Sequence, residues 1–381
     1  MRKRIFNVLF ISVFAAMLGL GIIAPLMPIY AKSLGATGIW LGIIFSGFSL
    51  SRAIVTPIIG KLSDKKGRKR FIAPGLLLYS IISLLYPLAG KVYYLTTVRL
   101  MHGIASAMII PVAMAYIGET AEKGKEGSAM GTFNIALLLG MGSGPFLGGL
   151  LNDSFGIASV FYTMAGLTAI AFLITLIFLP DVRYSGITRT DDPISFREII
   201  KNNVIKGLLL IRTTNAMARG GVMAFLPIFA SRMDINSSQV GIIISFHIFL
   251  IALLQSPFGR LADRYNKLFL VLIGSTVGAL ALLLTPIARN FWELFFISSI
   301  MGLGGATSMP SASALQVEVG QRLGMGLSMG LFSTAMSIGM IAAPLISGVV
   351  MDILGVKSVF FVAGVIGLLG TFVFYYYIRQ S

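Results

Sequence analysis

Arg52, Arg99, Arg212 and Arg219 each stand inside a long apolar run. A cation placed there costs about 2.5–3.5 kcal/mol on insertion scales, so it faces water or a partner and marks a functional position. His102 lies one turn beyond Arg99; Asn215 lies one turn beyond Arg212, and Arg219 follows two turns on, close to the same face. Asn134 and His247 are further polar groups in apolar runs, and these eight residues are the expected substrate and proton pathway. The bland alternatives are an ion pair at the external end for Arg99, snorkelling to an interface for Arg52, and a hydrogen-bonded core histidine for His102. No aspartate or glutamate lies deep in any apolar run; Glu119, Glu293 and Glu318 sit near ends. Buried cations without acids create a field for an anionic or zwitterionic small molecule. Protons would then be carried by His102, His247, Asp64 or Glu119, or replaced by the substrate's own charge. There is no cysteine, so thiol chemistry is excluded. A phosphate-binding GxxxxGK[ST] loop, an HExxH pair and a nucleophile constellation are all missing from the sequence. Neither an enzyme, a metal nor a cofactor is expected.

The elements that hold these residues follow from composition. Of 381 residues, 56% are hydrophobic and only 12% charged, against about 25% charged in a soluble domain. A soluble enzyme, a disordered chain and a fibrous protein are excluded. Apolar runs occur at 6–30, 38–59, 71–90, 92–117, 128–150, 157–179, 203–230, 239–258, 268–288, 291–316, 323–350 and 356–378. Their continuity points to membrane helices rather than the alternation of a barrel. The expected fold is an all-α membrane protein of 12 transmembrane helices in two pseudo-symmetric six-helix bundles, 1–180 and 203–381, joined by a cytoplasmic linker, 181–202. With both termini in the cytoplasm, Lys32, Lys91, Arg232, Arg289 and Lys357 are the only basic residues in external segments, against 21 in cytoplasmic ones. Such a bias sets orientation in a cytoplasmic (plasma) membrane. The net charge of +16 then reflects topology and anionic lipid headgroups rather than nucleic acid. A monomer in contact with membrane lipids is expected.

The halves repeat at an offset of 199 without a gap. Pro28 meets Pro227, Gly60 meets Gly259, Asp64 meets Asp263, Pro111 meets Pro310, and Glu119 meets Glu318. Gly140 meets Gly339, Pro145 meets Pro344, and Asp153 meets Asp352. Apolar coincidences are cheap in such a chain, whereas matches of Asp, Glu, Pro and Gly at one offset mark a duplicated unit. Because the first run matches the seventh, it is expected to be a retained span rather than a cleaved signal. Parallel repeats about an axis along the membrane normal are a transporter plan.

Three motifs sharpen this. Gly60, Leu62, Asp64, Gly67, Arg68 and Lys69 form a basic loop with Asp64 as its lone acid; glycines permit a tight turn and close approach. An anion there can bond a helix N-terminus or an arginine across the gap between halves. Its second copy, Gly259 to Arg264 with Asp263, has Asn266 where Gly67 stands. Gly140, Gly144 and Gly148 share one helix face, with Pro145 and Gly149 beside them; such a face lets a second backbone approach, and Pro145 removes a helical donor.

These runs resemble motifs A and C of the major facilitator superfamily, and Leu95, Arg99, His102, Gly103, Ala105 and Ala107 resemble its motif B. The resemblance covers the whole chain and fits the 12-span drug–proton antiporter group. It implies alternating access, with Asp64, Arg68, Glu119, Asp263, Arg264 and Glu318 latching the inner gate. It also implies that the helices carrying Arg212, Asn215 and Arg219 line the central cavity. Proton-coupled efflux of amphipathic, anionic or zwitterionic compounds is the leading expectation; uptake of a small metabolite by symport or uniport, and a non-transporting membrane receptor or lipid translocation or scrambling on the same scaffold, are its rivals.

Overall fold

The structure, a computed structural model, describes residues 2–120, 126–180, 203–323 and 325–379. The linker 181–202 lies outside the described residues. The helices are α1 (Arg2–Ile23), α2 (Met27–Ser33), α3 (Gly38–Lys66), α4 (Lys69–Leu85), α5 (Val92–Thr120), α6 (Glu126–Phe155) and α7 (Ile157–Phe178). They continue as α8 (Asn203–Ser231), α9 (Ser237–Arg264), α10 (Lys267–Leu284), α11 (Phe291–Leu323), α12 (Met325–Leu354) and α13 (Val356–Arg379). A short 3₁₀ turn, Thr285–Ile287, follows α10. Among the described residues there is no strand, and nine helices are long and apolar enough to cross a membrane. Leu253 (74% exposed) and Phe372 (66%) illustrate the large apolar side chains on the outside. In water such surface would drive association; against lipid it needs no cover.

The chain forms two compact units, one holding α1–α7 with the first turns of α9 (Asn236–Ser245), the other α8, the rest of α9 and α10–α13. In the first, α1 packs on α6 and α7, α3 on α5, and α4 on α5 and α7. In the second, α8 packs on α12 and α13, and α10 on α11 and α13. Leu18, Ile22, Leu26 and Val160 build one core cluster; Leu208, Ile211, Val271, Leu315, Phe332 and Phe374 are the centre of another.

The repeat is visible in backbone as well as sequence. Shifted by the 199-residue offset, α6 coincides with α12 at both ends. Gly156 (φ 78°) and Gly355 (φ 83°) make the same left-handed link before α7 and α13, and Gly35 (φ 84°) corresponds to Asp234 (φ 55°). The copies differ at one point. The expected single span 6–30 is two helices, broken over Ala24–Leu26, whereas α8 runs unbroken to Ser231. Pro25 has no N–H, and its ring collides with the carbonyl four residues back; the equivalent of Pro25 in α8 is Ala224, which keeps its donor.

Gly156 has φ 78° and ψ 170°, a region essentially closed to residues with a Cβ. Nothing lies within 4 Å of where a Cβ would sit, so Gly156→Ala isolates the backbone cost. A loss of about 1–3 kcal/mol is expected, read as a lowered thermal midpoint in detergent; an unchanged midpoint would show that the link relaxes freely.

Candidate functional site

Gly67 ends α3 with φ 94°, a turn that only glycine makes without strain, and delivers Arg68 to the start of α4. The Arg68 guanidinium is buried and gathers three partners of its own unit. Nη2 and Nε grip the two oxygens of Glu119 at the end of α5, at 2.5 and 3.4 Å. Nη1 donates to Ser63 Oγ at 2.6 Å, and Nη2 also meets Asp64 Oδ1. Burial opposes the charge on Arg68, but the hydrogen bond and charge of Glu119, with Asp64, outweigh it and hold the guanidinium above its ordinary pKa. Asp64 thus pairs with an arginine one turn away in its own unit.

The second copy is weaker. Glu318 pairs with Lys267 at 2.8 Å, not with Arg264, which is exposed at the end of α9. The repeat explains the exchange: Lys267 stands at the position of Arg68, and Arg264 at that of Lys65. Asn266 replaces Gly67 with φ −63°, and its side chain caps α10 by accepting from Leu268 N at 2.9 Å. The side chain of Asp263 lies outside the described residues. Gly60 and Gly259 lie within α3 and α9 with open space around them, so neither a turn nor a neighbour calls for glycine there.

Along α6, three glycines meet the α1 backbone in succession. A Cβ on Gly140 would fall 2.7 Å from Phe14 O, one on Gly144 would overlap the Gly21 backbone, and one on Gly148 would overlap Ile22 O. Gly149 faces Ser237 in the first turn of α9, and Pro145 is accommodated inside α6. The second unit repeats the first of these contacts, with Gly339 against Thr213 and Met217 of α8.

The cations of the apolar runs fall into an enclosed set and an accessible set. Arg99 (3% exposed) and His102 (0%) are enclosed. Gly103 brings α5 against the backbone of Phe48 on α3, so Arg99 stacks over Phe48 and Phe45 at 5.0 and 5.3 Å, a favourable seat for a guanidinium. His102 Nδ1 is 2.8 Å from the Tyr86 hydroxyl, and the Tyr79 ring stands edge-on to it at 3.8 Å between centroids. Arg99 Nε and Nη1, His102 Nε2 and Ser106 Oγ are buried without a hydrogen-bond partner among the described residues. Arg52 is half-buried on α3 and Asn134 exposed on α6; neither joins this cluster through a hydrogen bond among the described residues.

In the second unit Arg212 is half-buried and Arg219 exposed. Their recorded contacts are soft: Arg212 Nη2 to Met336 Sδ at 3.4 Å and Arg219 Nη2 to Met309 Sδ at 2.8 Å. Asn215 is turned to Ser275 Oγ at 3.4 Å. His247, half-buried, donates from Nδ1 to the Ser298 carbonyl at 2.9 Å and lies within electrostatic reach of Arg219. Ser298 is the repeat counterpart of Arg99, and His247 that of Phe48, so one helix contact carries a cation–π pair in one unit and an imidazole–carbonyl pair in the other. None of the four arginines forms an ion pair among the described residues. Sequence reading missed Tyr79, Tyr86, Phe45, Met309 and Met336, because aromatic and methionine side chains are indistinguishable from packing residues in a greasy chain. Only the 199-residue pairing of Phe48 with His247 offered a signal.

Comparison with known proteins agrees with this anatomy. The family model described as Major Facilitator Superfamily matches residues 9–214 and 208–381. An uncharacterized MFS-type transporter of Methanocaldococcus jannaschii is 35% identical over 366 residues, 94% of each chain. A homolog of the multi-drug resistance efflux pump PmrA from Lactococcus lactis is 27% identical, over 91% of this chain and 88% of its own. The crystal structure of a bacterial homolog of the human lysosomal transporter Spinster superposes with a TM-score of 0.86 at 14% identity, covering 100% of this chain and 97% of that one. Two units of like internal packing, helices built for lipid and a family match across the whole length lead to one conclusion: this chain belongs to the major facilitator superfamily, as a multi-pass integral membrane transporter of small molecules.

Proposed function

We propose that this transporter is a proton-coupled exporter of amphipathic organic anions or zwitterions, working as a monomer by alternating access. It would cross the cytoplasmic membrane 12 times, with both termini inside and six helices from each of 1–180 and 203–381. One observation carries the substrate class: Arg212 and Arg219 have thioethers for partners and, among the described residues, no carboxylate. A guanidinium in apolar surroundings is costly until an anion neutralises it. Export is supported by the efflux relative from Lactococcus lactis and by the resemblance of Gly140 to Gly149 to motif C. The basic cytoplasmic loops support the orientation.

The test is flux in proteoliposomes under an imposed pH gradient. Carboxyfluorescein, a fluorescent organic anion, is expected to move against its own gradient and to stop when the pH gradient is dissipated; ethidium, a cation, is expected not to move. Transport of ethidium alone would overturn the substrate class, and gradient-independent flux would overturn the coupling. Arg219→Gln is expected to weaken anion binding about tenfold or more, the worth of one hydrogen bond to a charged group.

A further inference from the structure

The chain has two histidines, and the structure gives them opposite settings. His102 Nδ1 is 2.8 Å from the Tyr86 hydroxyl, and its Nε2 is buried without a partner among the described residues. A second proton on this ring would place a cation one turn from Arg99, at a residue that is 0% exposed.

His247 is the converse. Its Nδ1 faces the Ser298 carbonyl at 2.9 Å. A carbonyl only accepts, so Nδ1 keeps its proton and the lone pair is on Nε2. The same bond survives when Nε2 gains a proton, so the ring changes charge without changing partner. The ring is half-buried, and a partnerless Nε2 is not among the enclosed polar atoms. From α11 the ring faces the Ser298 carbonyl and Gly302. From α8 the charged group in reach is Arg219, itself coupled to Arg212.

We propose that His247 is the proton-carrying residue of this transporter, binding and releasing the coupled proton at Nε2, while His102 stays neutral throughout the cycle. The inference rests on the proton-coupled reading above. The step is a protonation alone: neutral imidazole plus one proton gives imidazolium, and release reverses it.

Two histidines make the test direct. Nitrogen-15 NMR of histidine-labelled full-length protein in lipid nanodiscs reads tautomer and charge of each ring, and either His102→Asn or His247→Gln assigns the pair. Between about pH 5 and pH 9, the His247 ring is expected to pass from the Nδ1–H tautomer to imidazolium while the His102 ring stays neutral. Titration of His102 with His247 fixed, or of neither, overturns the proposal. The two readings fail separately. A titrating His247 without gradient-driven dye flux removes the coupling reading and leaves the proton site. Gradient-driven flux with a silent His247 removes the site and leaves the coupling.

Discussion

Gly144→Leu is expected to be the most disruptive single substitution in the chain. At Gly144 the backbones of α1 and α6 touch: a Cβ there would overlap Gly21, and a Cβ on Gly21 would lie 3.0 Å from Gly144 Cα. The obstacle is backbone on both sides, so no side chain can turn aside to make room. Overpacking a core costs about 1–3 kcal/mol when neighbours can adjust; here the helices themselves must separate, and a loss at or above the top of that range is expected. Fluorescence-detected size exclusion after heating would show it as collapse of the monodisperse peak at a markedly lower temperature. Gly166→Ala is the control, because nothing lies within 4 Å of its Cβ position inside α7. Its expected effect is neutral to stabilising by up to about 1 kcal/mol, the propensity difference between glycine and alanine. Equal tolerance of both substitutions would show that α1 and α6 are not in backbone contact.

The second large effect is expected at Arg68. Arg68→Ala leaves the Glu119 carboxylate, only 14% exposed, without its two-pronged partner, and leaves Ser63 Oγ without its donor. Stranding a charge that is mostly but not fully buried costs on the order of 2–3 kcal/mol, below the 3–5 kcal/mol of a fully buried pair. Arg68→Lys should recover part of this, since an ammonium makes one of the contacts but cannot copy the planar fork. The second unit supplies the comparison: Lys267 already makes a single contact to Glu318, which is 53% exposed. Lys267→Ala should therefore cost no more than about 1 kcal/mol. Thermal melts of the three variants read this asymmetry directly, and equal losses at Arg68 and Lys267 would refute it. The sign with pH follows from the raised Arg68 pKa. A group whose pKa rises on folding stabilises the protein at every pH below its unfolded value. For an arginine that covers the whole accessible range, so the Arg68→Ala deficit should not vary between about pH 5 and pH 9.

The paired latch also shows how far the repeat reaches as a predictive tool. Applied to Arg68, the 199-residue offset names Lys267 as the partner of Glu318; loop resemblance instead had pointed to Arg264. Position within a repeat is set by backbone geometry, which the copies share, whereas resemblance of a charged loop is satisfied by any nearby base. The same logic accounts for Pro25. Its apolar surroundings read as one continuous span, because hydropathy sums over side chains and is blind to a missing backbone donor.

Composition and period determined a great deal unaided. The scarcity of charge requires a lipid environment, and the continuous apolar runs require helices, because unsatisfied backbone is intolerable in hydrocarbon. The constant offset of Gly, Pro and Asp requires two copies of one unit. The i, i+4, i+8 spacing of Gly140, Gly144 and Gly148 already places a bare stripe on one helix face, since that follows from local geometry alone. What the bare stripe touches is a different matter, and so are the enclosure of Arg99 between Phe45 and Phe48, the reach of the Arg68 guanidinium to Glu119, and the bond of His247 to the Ser298 carbonyl. Each joins residues about 50 to 125 positions apart in the chain. Those relations exist only once helices pack, because a hydrogen bond is decided within a few tenths of an ångström, and no pattern along the chain carries distance at that scale.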